Sequence, residues 1–165
     1  MRIRKEKLGD YYPIQLLLER AFPTGHNTEA RVLGGLRFTK GLSLSLVAVE
    51  RRTVIGQIAI SPVSVAGRDV GWKAIFPIAV AEEHRGQGIG SALIHEALEY
   101  LEKTGASGCV ATGCNGFFEK FGFKPSLRLH HERFPWPQFQ ALSFGTDSEE
   151  GPVEFLPVFD IIVRS

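Results

Sequence analysis

A proline stands inside a stretch that otherwise reads as a β-strand: Pro77 in GWKAIFPIAV (71–80). It has no N–H to give to a ladder, so a sheet containing this stretch must bulge there or leave one side unpaired. The two preceding segments are also strand-like. LSLSLVAVE (42–50) alternates Leu42, Leu44 and Leu46 with Ser43 and Ser45, and RRTVIGQIAISPVSV (51–65) follows a tight turn near Arg51-Arg52. Three strands with short connections predict an antiparallel meander whose last member is flawed at Pro77.

Helical patterns surround the meander. After a short first strand in MRIRK, GDYYPIQLLLERAF (9–22) offers Asp10 as an N-cap, Pro13 in the first turn, and Ile14, Leu17, Leu18 and Ala21 at helical spacing. NTEARVLGGLRF (27–38) predicts a second helix capped by Asn27 or Thr28 and weakened by Gly34-Gly35. Beyond the meander, Ile89, Ala92, Leu93, Ala97, Tyr100 and Leu101 share one broad apolar face of a long helix that ends near Gly105. GCVAT (108–112) reads as a strand, NGFFEKF (115–121) as a short helix stopped by Gly122 and Pro125, and FQALSF and VEFLPVFDIIV as two final strands. The order β-α-α-β-β-β-α-β-α-β-β predicts one mixed α/β sheet of about seven strands. VAGRDVG (65–71) and FGTDSEEGP (144–152) look like connections within one domain covering 1–165.

Composition narrows the partners. A net charge of +1, with 44% hydrophobic and 22% charged residues, describes an ordinary globular chain without a broad nucleic-acid footprint. No apolar run approaches a membrane span, and MRIRKEKLGDYY has no apolar signal core, so a cytoplasmic protein is expected. Cys109 and Cys114 are too few for a disulfide framework and read as small apolar residues. His130-His131 has no second ligand pair at suitable spacing, so no metal is expected.

The segment RGQGIGS (85–91) carries the chemistry. Gly86, Gly88 and Gly90 alternate at the start of the long helix, where unsatisfied N–H groups and about half a positive charge collect. Bare backbone there wraps closely round an anion, Arg85 adds a charge-assisted donor, and Ser91 adds a hydroxyl. The pattern therefore reads as a phosphate or pyrophosphate cradle. It lacks the lysine of a Walker loop. The G-x-G-x-x-G spacing of a dinucleotide fingerprint also fails, because Ser91 or Leu93 stands at its final place.

At these residues the chain resembles a known family. Arg85-Gly86-Gln87-Gly88-Ile89-Gly90 resembles the [Q/R]-x-x-G-x-[G/A] acyl-CoA signature of the GNAT superfamily of N-acetyltransferases. FPIAV resembles its fourth strand and NGFFEKFGFKP the segment around its fourth helix, while the element order matches along nearly the whole chain. The spacing and the FGF ending are most similar to the branch often called YhbS-like. The resemblance implies a mostly antiparallel sheet flanked by about four helices and splayed between its fourth and fifth strands. It implies that acetyl-CoA is the acyl donor and that an amine of a small molecule or a peptide N-terminus is the acceptor. The backbone from Arg85 through Gln87 and Ile89 to Ser91 would hold the pyrophosphate. Ile78, Ala79 and Val80 would pair with the pantetheine arm, and Asn115 and Phe118 would flank its thiol end.

One position departs from the family pattern. Many relatives carry on the fourth helix a tyrosine that protonates the leaving thiolate; here Phe118 stands there, beside Phe117, and has no proton to give. Cys114 is read as structural rather than nucleophilic. Glu29 is the candidate base, set against the plainer reading of a solvated glutamate in a first helical turn, and Asn115 is a second catalytic candidate. His84, with Glu82 and Glu83, lies at the cradle mouth, and His95 lies on the long helix. RFPWPQFQ (133–140) places Trp136 between prolines, where it lines an acceptor pocket, plugs the core or makes a homodimer contact. Two functions follow: an acetyl-CoA-dependent N-acetyltransferase, or a sensor of the same fold that binds acyl-CoA with weak catalysis.

Overall fold

The computed structural model describes residues 1–113, 116–133, 138–145 and 149–164, without the side chains of 162–164. Strand β1 (Arg2–Lys5) is followed by helices α1 (Tyr11–Ala21) and α2 (Thr28–Phe38), then by the meander β2 (Leu44–Glu50), β3 (Thr53–Val65) and β4 (Trp72–Val80). Helix α3 (Ile89–Lys103) leads to β5 (Gly108–Thr112), a 3-10 turn (Phe118–Phe121), and strands β6 (Lys124–Pro125), β7 (Leu129–His130), β8 (Phe139–Ser143) and β9 (Gly151–Phe155). A final 3-10 segment spans Pro157–Arg164.

Seven strands run in the order β1-β2-β3-β4-β5-β8-β6, with β9 pairing the far end of β3 and β7 pairing β9. The β1–β4 meander is antiparallel, as its alternation predicts, whereas β4 and β5 are parallel. The sheet is therefore mixed and mostly antiparallel, with two more short strands than expected.

The core lies on both faces of the sheet. Leu93, Ile94, Ala97 and Leu101 of α3 pack on Leu44, Leu46, Ile58, Ile60 and Ile75. Each such buried leucine or isoleucine side chain contributes roughly 1.5–3 kcal/mol. Gly56 lets α3 come this close, because a Cβ there would lie 3.0 Å from Leu93 Cδ1. On the opposite face, Ile14, Leu17, Leu18 and Leu33 of α1 and α2 cover Val47, Ala59 and Ala79. Helix α3 ends in a Schellman motif: Gly105 adopts φ 83°, and Ala106 N–H donates to the Leu101 carbonyl at 3.0 Å.

Three local expectations need correction. Asp10 precedes α1 but does not cap it. Its carboxylate accepts from Arg4 at 2.6 and 3.0 Å and from the Lys7 amide at 2.7 Å, closing a 3-10 turn (Leu8–Asp10). The hydrogen bond from Arg4 is the main cause holding its carboxyl below the usual range, against the opposing effect of burial. The expected fourth helix is only the 3-10 turn, cut short by Gly122 at φ 95°. The last predicted strand stops at Phe155; Pro157 cannot extend a ladder, and Val158 and Phe159 pack instead against α2. Gly35 makes that docking possible, since any Cβ there would collide with Val158.

Candidate functional site

Strand β4 changes character at Pro77. Its pairs Ile58↔Ile78 and Ile60↔Ile75 show three steps on β4 against two on β3, so a bulge falls at Phe76-Pro77. Its other edge pairs with β5 only at Trp72, Lys73 and Ala74. Beyond Ala74 the two strands part.

Among the described residues, no strand pairs with the parted edge beyond Ala74. Ala81 N–H donates to the Ile55 carbonyl at 2.8 Å, on the β3 side. Antiparallel alternation then turns Ala79 toward β3 as well, and turns the N–H and C=O of Ile78 and Val80 toward the open side. Of these, the Val80 carbonyl accepts from Arg85 Nε at 3.1 Å. That bond pins the glycine turn to the strand end.

The glycine turn has the backbone shape predicted for a cradle. Gly86 and Gly88 adopt φ 75° and 83°, in the left-handed region where side chains are disfavoured. Gly88 is the residue before α3, and its carbonyl accepts from the Ala92 amide at 3.0 Å. Among the described residues, the amides of Gly88, Ile89, Gly90 and Ser91 have no acceptor in the protein. Gly90 needs no unusual φ, but a Cβ there would stand 3.3 Å from Phe117 Cζ and 3.6 Å from Val80 Cγ2, in the neck between turn and strand.

Strand edge and cradle open into one groove of about 760 Å³. Ile78, Ala79, Val80, Arg85, Gly86, Gly88, Ile89, Gly90 and Ser91 all line it. Gln87 does not; it is exposed and its side-chain amide turns back to the Glu83 carbonyl at 3.5 Å. Nor does Phe118, which is 8% exposed and packs edge-on against Phe117 and Phe123 in the core. Phe117 is the ring on the groove wall, with Lys120 5.1 Å above its centre. The tight 3-10 turn points one phenylalanine inward and its neighbour outward.

Sequence reasoning passed over Ala21 and Phe22 at the end of α1, and Lys120, all of which line the groove. Lys120 was detectable from its place three residues after Phe117, one turn of a 3-10 helix. Phe22 was not, because only tertiary packing brings the end of α1 over β4.

The groove carries one sign of charge. Arg85 and Lys120 line it with half-buried His84, whose Nδ1 is 4.0 Å from Glu50, and among the described residues no carboxylate shares the lining. Glu29 is half-buried in the first turn of α2 and does not line it. Cys114, Asn115 and Trp136 lie outside the described residues. Cys109 is a buried free thiol on β5, and burial pushes it far above its ordinary value, so it stays protonated. Among the described residues, no three His, Cys, Asp or Glu side chains converge as metal ligands, and no helix is long and apolar enough to cross a membrane.

A free-edged strand, a bulge and a glycine-started helix thus meet in one groove. The model of the acetyltransferase (GNAT) family matches residues 11–123, from α1 through the 3-10 turn. The chain belongs to that family. It is 39% identical over 157 residues to the uncharacterized N-acetyltransferase YhbS of Escherichia coli K12, covering 92% of each chain. A GNAT family acetyltransferase from Brucella melitensis, solved in complex with acetyl-CoA, superposes with a TM-score of 0.85 at 39% identity, over 96% of this chain and 97% of that one. E. coli YhbS in complex with CoA superposes with a TM-score of 0.89 at 33% identity, over 96% and 91%.

Proposed function

We propose that the protein transfers an acetyl group from acetyl-CoA to the amine of a small molecule or a peptide N-terminus, in the cytoplasm. The observation that carries this reading is the groove itself. It joins four acceptor-less amides at the start of α3 to an unpaired strand edge. A pyrophosphate needs the first and an extended arm with amide groups needs the second. Gly88 through Ser91 hold the diphosphate, with Arg85 adding charge. Ile78 and Val80 hold the arm as an added strand.

In the reaction the neutral amine nitrogen bonds to the acetyl carbonyl carbon, the C–S bond breaks, and one proton leaves the nitrogen. CoA departs as a thiolate. A thiol is far more acidic than an alcohol, the cysteine side chain titrating near about 8.5, so departure of the thiolate without a proton donor is feasible. This suits a groove whose aromatic wall, Phe117, has no dissociable proton. The assignment of Glu29 as proton acceptor and of Asn115 to the site rests on family resemblance. Glu29→Gln tests the first: loss of kcat with unchanged KM, and loss of the acidic limb of the pH profile, are expected if Glu29 takes the proton.

Phe117 and Phe118 also favour a second reading, a sensor that binds acyl-CoA and turns over slowly. Incubation with acetyl-CoA and a broad panel of amines, monitoring free thiol, separates the two. Thiol release that depends on an amine supports the enzyme. Binding of acetyl-CoA without release for any amine supports the sensor. Gly88→Val with Gly90→Val is expected to abolish acetyl-CoA binding in calorimetry; unchanged affinity would remove the cradle assignment.

A further inference from the structure

Next to the groove, and sharing Ala21 and Arg85 with it, is a second hollow of about 540 Å³. It lies between the end of α1, the turn joining β2 to β3, and the 3-10 turn Glu82–His84. Three guanidinium groups line it: Arg20, Arg52 and Arg85. Elsewhere in the molecule Arg4, Arg37, Arg68 and Arg133 each have a carboxylate within 4.0 Å, while among the described residues Arg2, Arg31 and Arg51, none of which lines this hollow, have none. Among the described residues none of the three lining the hollow has one either, although Glu82 and Glu83 share the lining.

The backbone under Arg52 makes the concentration of charge more telling. Arg51 and Arg52 form the turn with φ 48° and 68°. A two-residue hairpin turn with both φ values positive favours Asn-Gly or Gly, because larger side chains are strained there. The turn's shape therefore gives no reason for arginine. Arg20 sits in the last turn of α1, where a cation also suits the helix C-terminus. Arg85 spends its Nε on the Val80 carbonyl and keeps its two terminal nitrogens for other partners.

We infer that this hollow is a second anion subsite, and that it takes the 3′-phosphate of the CoA donor while the glycine turn takes the pyrophosphate. The inference rests on the function proposed above. CoA carries its diphosphate and its phosphomonoester on one ribose, so a subsite for the latter must adjoin the cradle within about one sugar's width. Arg85, lining both spaces, meets that condition. A phosphomonoester has nearly two negative charges and three acceptor oxygens at neutral pH, and the guanidinium fork is the side chain that matches it.

The test is calorimetric titration of the full chain with CoA and with 3′-dephospho-CoA. The wild type is expected to bind CoA at least about tenfold more tightly, the scale of one charge-assisted hydrogen bond. Arg20→Gln with Arg52→Gln is expected to bring CoA down to the affinity of the dephospho form, which itself stays within about twofold of the wild type. Arg51→Gln, in the same turn but not on the lining, is expected to keep the preference. All three arginines changed in these variants are exposed, so folding is expected to survive. Equal wild-type affinity for the two ligands overturns the subsite and leaves the donor assignment standing. Equal weakening of both ligands in the double variant also overturns it, since the arginines would then serve the common part of the donor. Binding of neither ligand overturns the donor assignment together with the subsite.

Discussion

The two halves of β4 have the same neighbour on one side and opposite fates on the other. Trp72 to Ala74 are flanked by β3 and β5, and Trp72 is 2% exposed within a compact cluster with Val63, Val110 and Phe139. Ile78 to Val80 keep β3 but face a groove. The side chains of both halves remain packed, since Ile78 joins the α3 face and Ala79 the α1 face. Only hydrogen bonding differs. A strand can thus surrender one ladder to a ligand while the hydrophobic core that fixes its position stays intact.

Substitutions in the two halves should therefore read out in different measurements. The largest effect is expected for Trp72→Ala: a loss of about 3–5 kcal/mol in urea denaturation. Acetyl-CoA affinity of the fraction that stays folded should hardly change. Gly88→Val should do the reverse. An affinity loss of about 100-fold or more is expected in calorimetry, because the side chain meets left-handed backbone and stands over the free amides. Its cost to stability should be only about 1 kcal/mol. Pro77→Ala is smaller. It restores an N–H and lets the bulge relax toward regular pairing, with CoA bound about fivefold more weakly, equivalent to about one hydrogen bond. A Pro77→Ala variant that unfolds like Trp72→Ala would erase the distinction between the halves.

The smallest effect lies at the outer edge of the sheet, where Arg4 of β1 grips Asp10. Asp10's folded pKa is depressed, chiefly by Arg4. Its contribution is therefore present above the unfolded value near 3.8 and lost as pH falls through the lower folded value. Asp10→Asn should lower the thermal midpoint at pH 7 and flatten its fall below about pH 4. Ligand affinity at pH 7 should not move, because Asp10 touches neither half of β4.

Pro77 and the alternating glycines were legible in the sequence because each acts through its own backbone. A missing N–H produces the bulge, and a missing Cβ permits φ 75° and 83°. Alternation in 42–50 and 51–65 was legible for the same reason, as strand period is local. Asp10 was misread because its partner, Arg4, is supplied by a neighbouring strand rather than by the helix it precedes. The end of VEFLPVFDIIV was misread because its apolar run fits a buried strand as well as a packed turn. The notch at Gly35 that receives Val158 comes from a helix more than a hundred residues earlier. Gly34-Gly35, taken as a weakness in α2, includes the residue that admits the C-terminal segment. At Phe117-Phe118 the resemblance names Phe118, whereas Phe117 is the ring that lines the groove, since choosing which ring faces it requires the pitch of a turn that sequence period does not fix.

The hydrogen bond from Arg85 to the Val80 carbonyl has one further effect. An unpaired strand edge is a template for self-association, and a protein that must keep one open for a substrate risks fibrous or amorphous aggregation whenever the substrate is scarce. Here a cationic side chain takes the last acceptor and the bulge ends the run on the other side, which shortens the edge offered to a second molecule. Under the proposed function, gatekeeping against aggregation and reception of the donor fall to the same short stretch of β4.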